Sequence, residues 1–396
     1  MQTLTLPTRD GRLAAYALSG RTIDAPSTQR PRWNRIAFAA AHVVADPLAD
    51  VDPWLTAAVD WDATLAYRRH LWKHGLGVAE AMDTAQRGMG LDWPTSLELI
   101  RRTVAEARGI EGAVVFSGAG TDDLAPDPGV TIERVIDAYA AQCAAIERAG
   151  GRIILMASRA LAACARSADD YARVYERVLA GVSQPVILHW LGEMFDPALA
   201  GYWLGREDRG SDPDHARAMD VCARVIEANA AKIDGIKVSL LDAGKEVALR
   251  ARLPAGVRMY TGDDFNFAAL IGGDANGHSD ALLGIFDAIA PAASAALSAL
   301  AQGDRGRFDA ILAPTVPLSR HVFAAPTRFY KTGVVFMAWL NGHQAHFTLI
   351  GGQQSARSIV HLAELFRLAD AAALLSDPER AAARMRTLLA MHGIRD

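Results

Sequence analysis

The segment Ile233-Asp-Gly-Ile-Lys-Val-Ser-Leu-Leu241 is a short apolar run that contains one lysine. Seven similar runs occur along the chain, and longer stretches with apolar residues at helical spacing separate them. Short apolar strands that alternate with amphipathic helices are typical of repeated βα units. The predicted strands cover residues 36–44, 77–82, 112–116, 152–156, 185–189, 235–240, 257–260 and 281–285.

The number of predicted strands favours a closed sheet. Eight parallel strands with an outer ring of helices form a (β/α)8 TIM barrel, which typically takes about 250 residues. An open doubly wound sheet more often stops at five or six strands. The chain has 396 residues, 51% of them hydrophobic, which is enough for a large core. We therefore predict an α/β fold with a TIM barrel over residues 35–291.

The flanking regions differ from the barrel pattern. Residues 1–34 alternate in polarity around Asp10-Gly11, which predicts a β-hairpin appendage. Residues 292–396 are almost wholly helical in pattern and predict a C-terminal helical layer. Residues 191–216 are rich in glycine and charge, and predict either a lid over the catalytic end of the barrel or a plain insertion.

Composition limits the classes of partner. The formal net charge is −4 and the basic residues are scattered, so the sequence predicts neither nucleic-acid nor membrane binding. The cysteines, Cys143, Cys164 and Cys222, are far apart and are expected to be reduced thiols. No signal peptide or membrane-spanning segment is recognised. We expect a cytoplasmic protein with a small-molecule substrate, no cofactor and no resident metal.

Lys237 is one of five lysines and the one with the most apolar neighbours. A lysine that points into a barrel is desolvated, which lowers its pKa towards the range where the amine is nucleophilic. Such an amine can attack a carbonyl group. The alternative is an outward-facing lysine that extends between the outer helices.

Three motifs around this strand resemble those of a known superfamily. Gly235-Ile-Lys-Val-Ser239, Val257-Arg-Met-Tyr-Thr-Gly-Asp-Asp264 and Ala290-Pro291 occur in the order and at about the spacing seen in the dihydrodipicolinate synthase and N-acetylneuraminate lyase superfamily. The resemblance is specific over residues 230–310 and fainter elsewhere. It implies a class I aldolase-type barrel, with Lys237 as the imine-forming residue, that assembles as a homodimer or homotetramer.

The loop after the second barrel strand departs from that superfamily. Where the superfamily has hydroxyl groups that hold a pyruvate carboxylate, this chain has Ala81-Met-Asp-Thr-Ala-Gln86. An aspartate beside a bound carboxylate is electrostatically unfavourable. We therefore expect Asp83 and Thr84 to bind the hydroxyl groups of a sugar-like carbonyl compound. The alternative is that Asp83 caps the following helix.

The proton relay is a second departure. The superfamily has a tyrosine at the end of the fourth barrel strand, but Met156-Ala-Ser-Arg-Ala-Leu161 contains none. His189, at the end of the fifth strand, is our candidate acid or base, although a structural histidine is an alternative. Arg159 either binds an anionic part of the substrate or forms a surface ion pair.

Further polar residues follow other strands. Asp263 and Asp264 are expected to bind substrate hydroxyl groups, with a helix-capping role as the alternative for one of them. Ser117 begins the short glycine-rich segment that ends at Thr121, whose amides could bind an anion. Asp287, just past the eighth strand, completes a predicted acidic rim.

These features together predict a Schiff-base-forming lyase, either an aldolase or a dehydratase, that acts on a hydroxylated keto compound. One alternative is a metal-dependent TIM-barrel sugar isomerase or lyase, because carboxylates and imidazoles at strand ends are typical metal ligands. Another is a non-catalytic protein that binds a sugar acid on an aldolase scaffold.

Overall fold

The computed structural model describes residues 2–23, 32–208 and 210–395. Eight parallel strands form a closed barrel in the order β10-β3-β4-β5-β6-β7-β8-β9, which confirms the predicted TIM barrel. The strands are β1 (Thr3–Pro7), β2 (Leu13–Ala17), β3 (Ala37–Ala40), β4 (Gly77–Glu80), β5 (Val115–Ala119), β6 (Arg152–Leu155), β7 (Val186–Leu191), β8 (Ile233–Ser239), β9 (Arg258–Thr261) and β10 (Asp280–Leu283).

The remaining two strands, β1 and β2, form the predicted hairpin. They pair antiparallel, with Thr3 opposite Ala17 and Pro7 opposite Leu13. Gly11 in the connecting turn has φ 79°, a left-handed conformation that glycine adopts without steric cost. Residues 24–31 of the predicted appendage lie outside the described residues.

Helices follow most of the barrel strands and continue to the C-terminal region. They are α1 (Trp61–Lys73), α2 (Trp93–Ala107), α3 (Ile132–Ala149), α4 (Arg159–Cys164), α5 (Ala168–Gly181), α6 (Ala216–Ala228), α7 (Ala243–Arg250), α8 (Phe267–Gly272), α9 (Ile285–Ala288), α10 (Ala290–Ala301), α11 (Arg305–Leu312), α12 (Thr315–Val322), α13 (Tyr330–Leu340), α14 (Ile359–Ala371) and α15 (Pro378–Met391). In the part of the chain that the structure describes, no helix is long and apolar enough to cross a membrane.

The ends of the helices follow from local sequence. The Asp92 carboxylate accepts a hydrogen bond from the amide of Thr95 at 2.9 Å, and the Thr131 hydroxyl accepts one from the amide of Arg134 at 3.3 Å. These contacts satisfy amides that the first turn leaves without partners. Helix α3 ends at Gly150, which has φ 84°.

The chain divides into two compact units. The barrel unit consists of Arg35–Ala41 and Gly77–Leu283, and therefore contains all eight barrel strands. The helical unit consists of the described parts of Met1–Asn34, His42–Leu76 and Gly284–Asp396. The domain boundaries drawn from the sequence, 1–34, 35–291 and 292–396, stay predictions, because compact contact units need not coincide with folding domains.

The hairpin is held to the C-terminal helices within the helical unit. The Tyr16 hydroxyl donates to a carboxylate oxygen of Asp370 at 2.7 Å, and the Arg367 guanidinium donates to the carbonyl of Pro7 at 3.0 Å. Asp370, in α14, is 1% exposed, so the carboxylate end of the first hydrogen bond is shielded from water.

The long segment after β7 is a packed part of the barrel unit. Trp203 is fully buried, and its ring contacts the rings of Tyr171, Tyr175, Trp190 and Tyr202. Burial of several large aromatic side chains stabilises a defined conformation. This packing favours an insertion with its own small core, and a lid role for residues 191–216 stays a prediction; residue 209 lies outside the described part.

Candidate active site

Lys237 points into the barrel. On neighbouring strands, His189 of β7 and Tyr260 of β9 are in register with Lys237 of β8. Residues in register on adjacent parallel strands project from the same face of the sheet. Tyr260 belongs to the buried cluster that fills the barrel, together with Phe38 and Phe116. The lysine side chain is therefore not one that extends outwards between the helices.

Burial controls the charge of the Lys237 amine. The residue is 6% exposed, and burial lowers its pKa from the ordinary value of 10.5 because the ammonium form loses its hydration. The carboxylates of Asp83 and Asp264 oppose this shift by favouring the ammonium form. The net shift is downwards, so a larger fraction of the amine is neutral and nucleophilic than for a lysine in water.

The stem of Lys237 passes a glycine. A Cβ atom placed on Gly262, directly after β9, would lie 2.8 Å from Cε of Lys237, 2.7 Å from the carbonyl oxygen of Val238 and 2.2 Å from Oγ of Ser239. The carbonyl of Val238 belongs to the strand backbone and Cε of Lys237 to a buried side chain, so neither can move away at low cost. Gly262 therefore makes room for the lysine.

The Gly262→Ala variant is expected to lose about 1–3 kcal/mol of unfolding free energy through overpacking. We also expect slower formation of any imine at Lys237, because the methyl group displaces its stem. Urea unfolding and borohydride trapping measure the two effects. Gly181→Ala is the matched control, since a Cβ there meets nothing within 4 Å. Equal behaviour of the two variants would contradict this placement of Lys237.

His189 is buried beside the lysine and is held by a serine. The His189 residue is 1% exposed, and its Nε2 lies 3.2 Å from Oγ of Ser239, two residues after Lys237 on β8. Burial, and then the nearby positive charge of Lys237, hold the pKa of His189 well below its ordinary value of 6.5. His189 is therefore a neutral imidazole near pH 7. Ser239 is a site residue that sequence reasoning missed, although its spacing from Lys237 places it on the same strand face.

The loop after β4 brings Asp83 and Thr84 to the same end of the barrel unit. They lie in a short 3-10 helix, Asp83–Ala85, in which Thr84 is buried and Asp83 half-buried. Ala81 and Gln86 flank it with φ values of 52° and 63°. Non-glycine residues in this conformation are uncommon and are enriched at functional sites. Asp83 acts on the Lys237 amine electrostatically.

A cleft of about 130 Å³ opens beside these residues and is lined by Asp83 and His189, among others. Its arginines are already paired with aspartates. The Arg87 guanidinium donates to both carboxylate oxygens of Asp122, at 2.9 and 2.6 Å. Arg159 pairs with Asp196.

An ion pair was one of the two roles considered for Arg159 from the sequence. Its pairing with Asp196 leaves Arg159 with less capacity to bind a substrate anion.

Burial raises the pKa of Asp122, but its contacts with Arg87 more than offset this, so that the net shift is downwards and the pair stays charged. The Arg87–Asp122 pair was not found from the sequence. Arg87 directly follows the loop that carries Asp83, which is the signal that points to it.

The two aspartates after β9 have different environments. Asp263 accepts hydrogen bonds from the amides of Phe265 and Asn266, at 2.9 and 3.1 Å, and from the side-chain amide of Asn266 at 2.8 Å. It therefore stabilises the turn before α8, as the capping alternative has it. Asp264 is 3% exposed and interacts electrostatically with Lys237. The role of Asp264 in substrate binding stays a prediction.

The end of the third barrel strand differs from the prediction and changes the position of Ser117, whose role in substrate binding stays a prediction. Ser117 lies within β5, opposite Glu80 of β4, and the hydroxyl of Thr103 in the outer helix α2 donates to Glu80 at 2.6 Å. Ser117 thus projects from the face opposite to Phe116, towards the helices and away from the barrel interior. The sequence placed the strand end at Phe116, but the strand continues to Ala119, which shifts the loop that was expected to begin here.

Asp287 belongs to the helical unit and is held by a histidine. Its carboxylate accepts a hydrogen bond from the amide of His42 at 2.7 Å, and Nδ1 of His42 lies 2.9 Å from the same carboxylate oxygen. Both residues are almost fully buried. This carboxylate already has a partner, and its role in substrate binding stays a prediction.

Tyrosines from outer elements support the loop after β6, where the superfamily tyrosine is missing. The Tyr139 hydroxyl donates to the carbonyl of Met156, and the amide of Ser158 donates to the hydroxyl of Tyr202 at 3.1 Å. Tyr175 and Tyr202 are joined by a 3.0 Å hydrogen bond. Burial raises the pKa of all three hydroxyls, so they stay protonated. These contacts fix the loop's backbone.

No group of three or more histidine, cysteine, aspartate or glutamate residues within residues 2–23, 32–208 and 210–395 has the geometry to hold a metal ion.

Comparisons with solved structures agree with the barrel fold. A prophage protein of the dihydrodipicolinic acid synthase family from E. coli K12, YagE, solved in complex with pyruvate, shares 14% identity with a TM-score of 0.62, covering 91% of this chain and 99% of that one. The 4-hydroxy-tetrahydrodipicolinate synthase of the thermoacidophilic methanotroph Methylacidiphilum fumariolicum SolV shares 16% identity with a TM-score of 0.61, covering 89% and 99%.

A dihydrodipicolinate synthase from Aquifex aeolicus shares 13% identity with a TM-score of 0.60, covering 91% of this chain and 98% of that chain. At these identities the likeness shows a common fold. The search of curated proteins found no match. A family model described as "Protein of unknown function (DUF993)" matches residues 4–394. Since this match spans nearly the whole sequence, the chain belongs to the DUF993 family.

Proposed function

We propose that the barrel unit is a lyase of the class I aldolase type, in which Lys237 forms an imine with the carbonyl group of a hydroxylated keto compound. The observation that carries the proposal is a buried lysine that points into the barrel and whose pKa is lowered by desolvation. Lys237 lies in the C-terminal half of β8, and the C-terminal end of a parallel barrel is where barrel enzymes perform chemistry, which supports the proposal.

The proposed steps use groups that the site already contains. The neutral amine of Lys237 adds to the carbonyl carbon, the resulting carbinolamine loses water, and a protonated imine remains. The protonated imine withdraws electrons from the bond between the α and β carbons, so that loss of the proton from the β-hydroxyl group breaks this bond, releases a carbonyl fragment and leaves an enamine on Lys237. The enamine is then protonated at its α carbon, and water hydrolyses the resulting imine to release the second product and free the amine. Neutral His189, beside Lys237, is the proposed base for the β-hydroxyl proton.

The charges in the cleft support a substrate without a carboxylate next to its carbonyl group. Arg87 and Arg159 are each paired with an aspartate, so neither offers an unneutralised cation. Asp83 adds a further negative charge to the lining. Carboxylates accept hydrogen bonds from hydroxyl groups, which favours a sugar-like compound over the pyruvate seen in the E. coli structure.

The alternative functions predict different assay results from those of the proposed lyase. A metal-dependent isomerase or lyase is expected to lose activity with a chelator and to keep it in Lys237→Ala. A non-catalytic sugar-acid-binding protein is expected to bind a ligand with neither turnover nor covalent trapping. Size-exclusion chromatography with light scattering tests the predicted homodimer or homotetramer.

Borohydride trapping across a panel of carbonyl compounds tests the proposal. The panel pairs each hydroxylated ketone with the keto acid of equal chain length, and intact-mass spectrometry detects the reduced adduct. We expect irreversible addition with hydroxylated ketones and less or none with pyruvate. Lys245→Met, which removes a lysine at the start of α7, is the matched control and should trap normally. No adduct with any compound would contradict the proposal.

The pH dependence of trapping follows from the sign of the lysine shift. Imine formation needs the neutral amine, so its rate increases with pH and becomes constant above the lysine pKa. Because the pKa of Lys237 is below 10.5, we expect the plateau at lower pH than for free Nα-acetyl-lysine. Stopped-flow measurements of adduct formation from pH 6 to 10 check this. A profile that matches the free amino acid would show that Lys237 is not desolvated.

A further inference from the structure

The helical unit contains a second cavity, of about 530 Å³. This volume is in the range of pockets that bind small molecules. Its apolar lining includes Ile23, Met337 and Leu374, and its polar lining includes the imidazoles of His70, His74 and His343. The proposed lyase chemistry uses none of these side chains.

The three imidazoles are packed ring to ring. The ring centroid of His70 lies 4.2 Å from that of His343 and 4.6 Å from that of His74. Nδ1 of His74 is buried and has no hydrogen-bond partner in the described part of the chain, and the residue is 5% exposed. Buried polar atoms in folded proteins nearly always have a partner. His74 also lines the cavity, so a ligand that contacts its imidazole from there would give this residue a polar partner.

Basic groups outnumber acidic groups around the three histidine rings. Asp287 also lines the cavity, but His42 already holds its carboxylate. The charged groups that act on the three rings are the rings themselves, His42, Lys73, Asp287 and Arg380, and all except Asp287 are basic. The Tyr67 ring also contacts His70 and His343, but burial raises the pKa of its hydroxyl well above 10, so it is uncharged.

Burial and mutual repulsion keep these rings uncharged when the cavity holds no anion. Burial first, and then neighbouring basic groups, lower the pKa of His70 to about 2; burial and Lys73 lower that of His74 to about 4. For His343, burial and His42 lower the pKa to about 4, although Asp287 opposes them. An anion inside the cavity would stabilise the protonated form of a ring and raise its pKa.

We propose that this cavity is a binding site for a small organic acid with an apolar body, whose carboxylate accepts hydrogen bonds from His74 and His343. The apolar body packs on Ile23, Met337 and Leu374, and exposed Lys73 attracts the acid to the entrance. Binding is coupled to proton uptake, because one ring becomes charged as the carboxylate enters. The pKa of that ring is higher in the complex than in the free protein, so affinity rises as pH falls through the bound value.

Octanoate and its uncharged analogue octanamide are the probes. Titration calorimetry with EDTA present, in two buffers of different ionisation enthalpy, measures affinity and proton uptake together. We expect octanoate to bind about tenfold more tightly at pH 5.5 than at pH 7.5, with proton uptake, and octanamide to bind more weakly with no such change. Equal affinities of the two probes without proton uptake, or no binding of octanoate, would overturn the proposal.

Variants test which histidines cause the pH dependence of octanoate binding. His74→Gln and His343→Gln keep a polar side chain that cannot become charged, and we expect each to remove most of the pH dependence of octanoate binding. His392→Gln changes an exposed histidine of the same unit and should bind as the wild type does. Leu374→Trp fills the cavity and should weaken both probes. Octanoate binding that is unchanged in Leu374→Trp would place the site elsewhere. Lys237→Met should leave binding intact, so this test is independent of the proposed lyase activity.

Discussion

Replacement of Lys237 by methionine is expected to abolish turnover and to remove the borohydride-trapped adduct. Methionine keeps an unbranched side chain of similar length, so the packing beside Gly262 is preserved while the nucleophile is lost. For enzymes that depend on a covalent step, removal of the nucleophile reduces kcat by roughly five orders of magnitude or more. We expect a loss of that size once the substrate is found from the trapping panel.

Stability distinguishes loss of chemistry from loss of fold. Lys237 is buried, and removal of a desolvated amine should leave the unfolding free energy unchanged or raise it. Thermal unfolding of Lys237→Met measures this effect. A variant that folds as the wild type does and still turns over substrate at a similar rate would contradict the imine mechanism.

The His189→Gln variant is expected to separate imine formation from the later proton transfer. Glutamine can still donate a hydrogen bond to Ser239, but it cannot accept and release a proton as imidazole does. General acid–base catalysis contributes about 10²–10⁴-fold to such steps. We therefore expect trapping at Lys237 to persist while turnover falls by this factor. Ser239→Ala, which removes only the partner of His189, should have a smaller effect.

The pH profile tests the same role. The pKa of His189 is well below 6.5, so its base form is present throughout the neutral range and is lost only in acid. Turnover should therefore not decrease because of His189 as pH falls from 8 to 6. A turnover rate near that of the wild type in His189→Gln would assign the proton transfer to another group.

Much of the barrel was predictable because its pattern is local. Each strand is a short buried run and each helix has regularly spaced apolar residues, so eight βα units could be counted from the sequence. Strand ends differed from the prediction: the run 36–44 contains a strand only over Ala37–Ala40, while β5 continues past Phe116 to Ala119. That difference moved Ser117 from a loop to the outward face of a strand.

The site was predictable where a motif fixed it and not where distant residues met. Alternation of side chains along a strand left two directions open for Lys237, and its register with Tyr260 in the structure showed that it faces inwards. Arg87 pairs with Asp122 and Arg159 with Asp196 across different loops, and no local sequence pattern predicts that these loops meet. The histidines of the second cavity are spread over residues 70–343, and only the tertiary structure brings the ring of His343 beside that of His70.

Peptide mapping of the reduced adduct tests the central claim most directly. The wild-type protein is treated with borohydride and the hydroxylated ketone that gives the highest yield of adduct, digested, and sequenced by tandem mass spectrometry. We expect the added mass on Lys237 and on none of Lys73, Lys232, Lys245 and Lys331. An adduct confined to another lysine, or turnover of the same compound with no adduct on any lysine, would contradict the account.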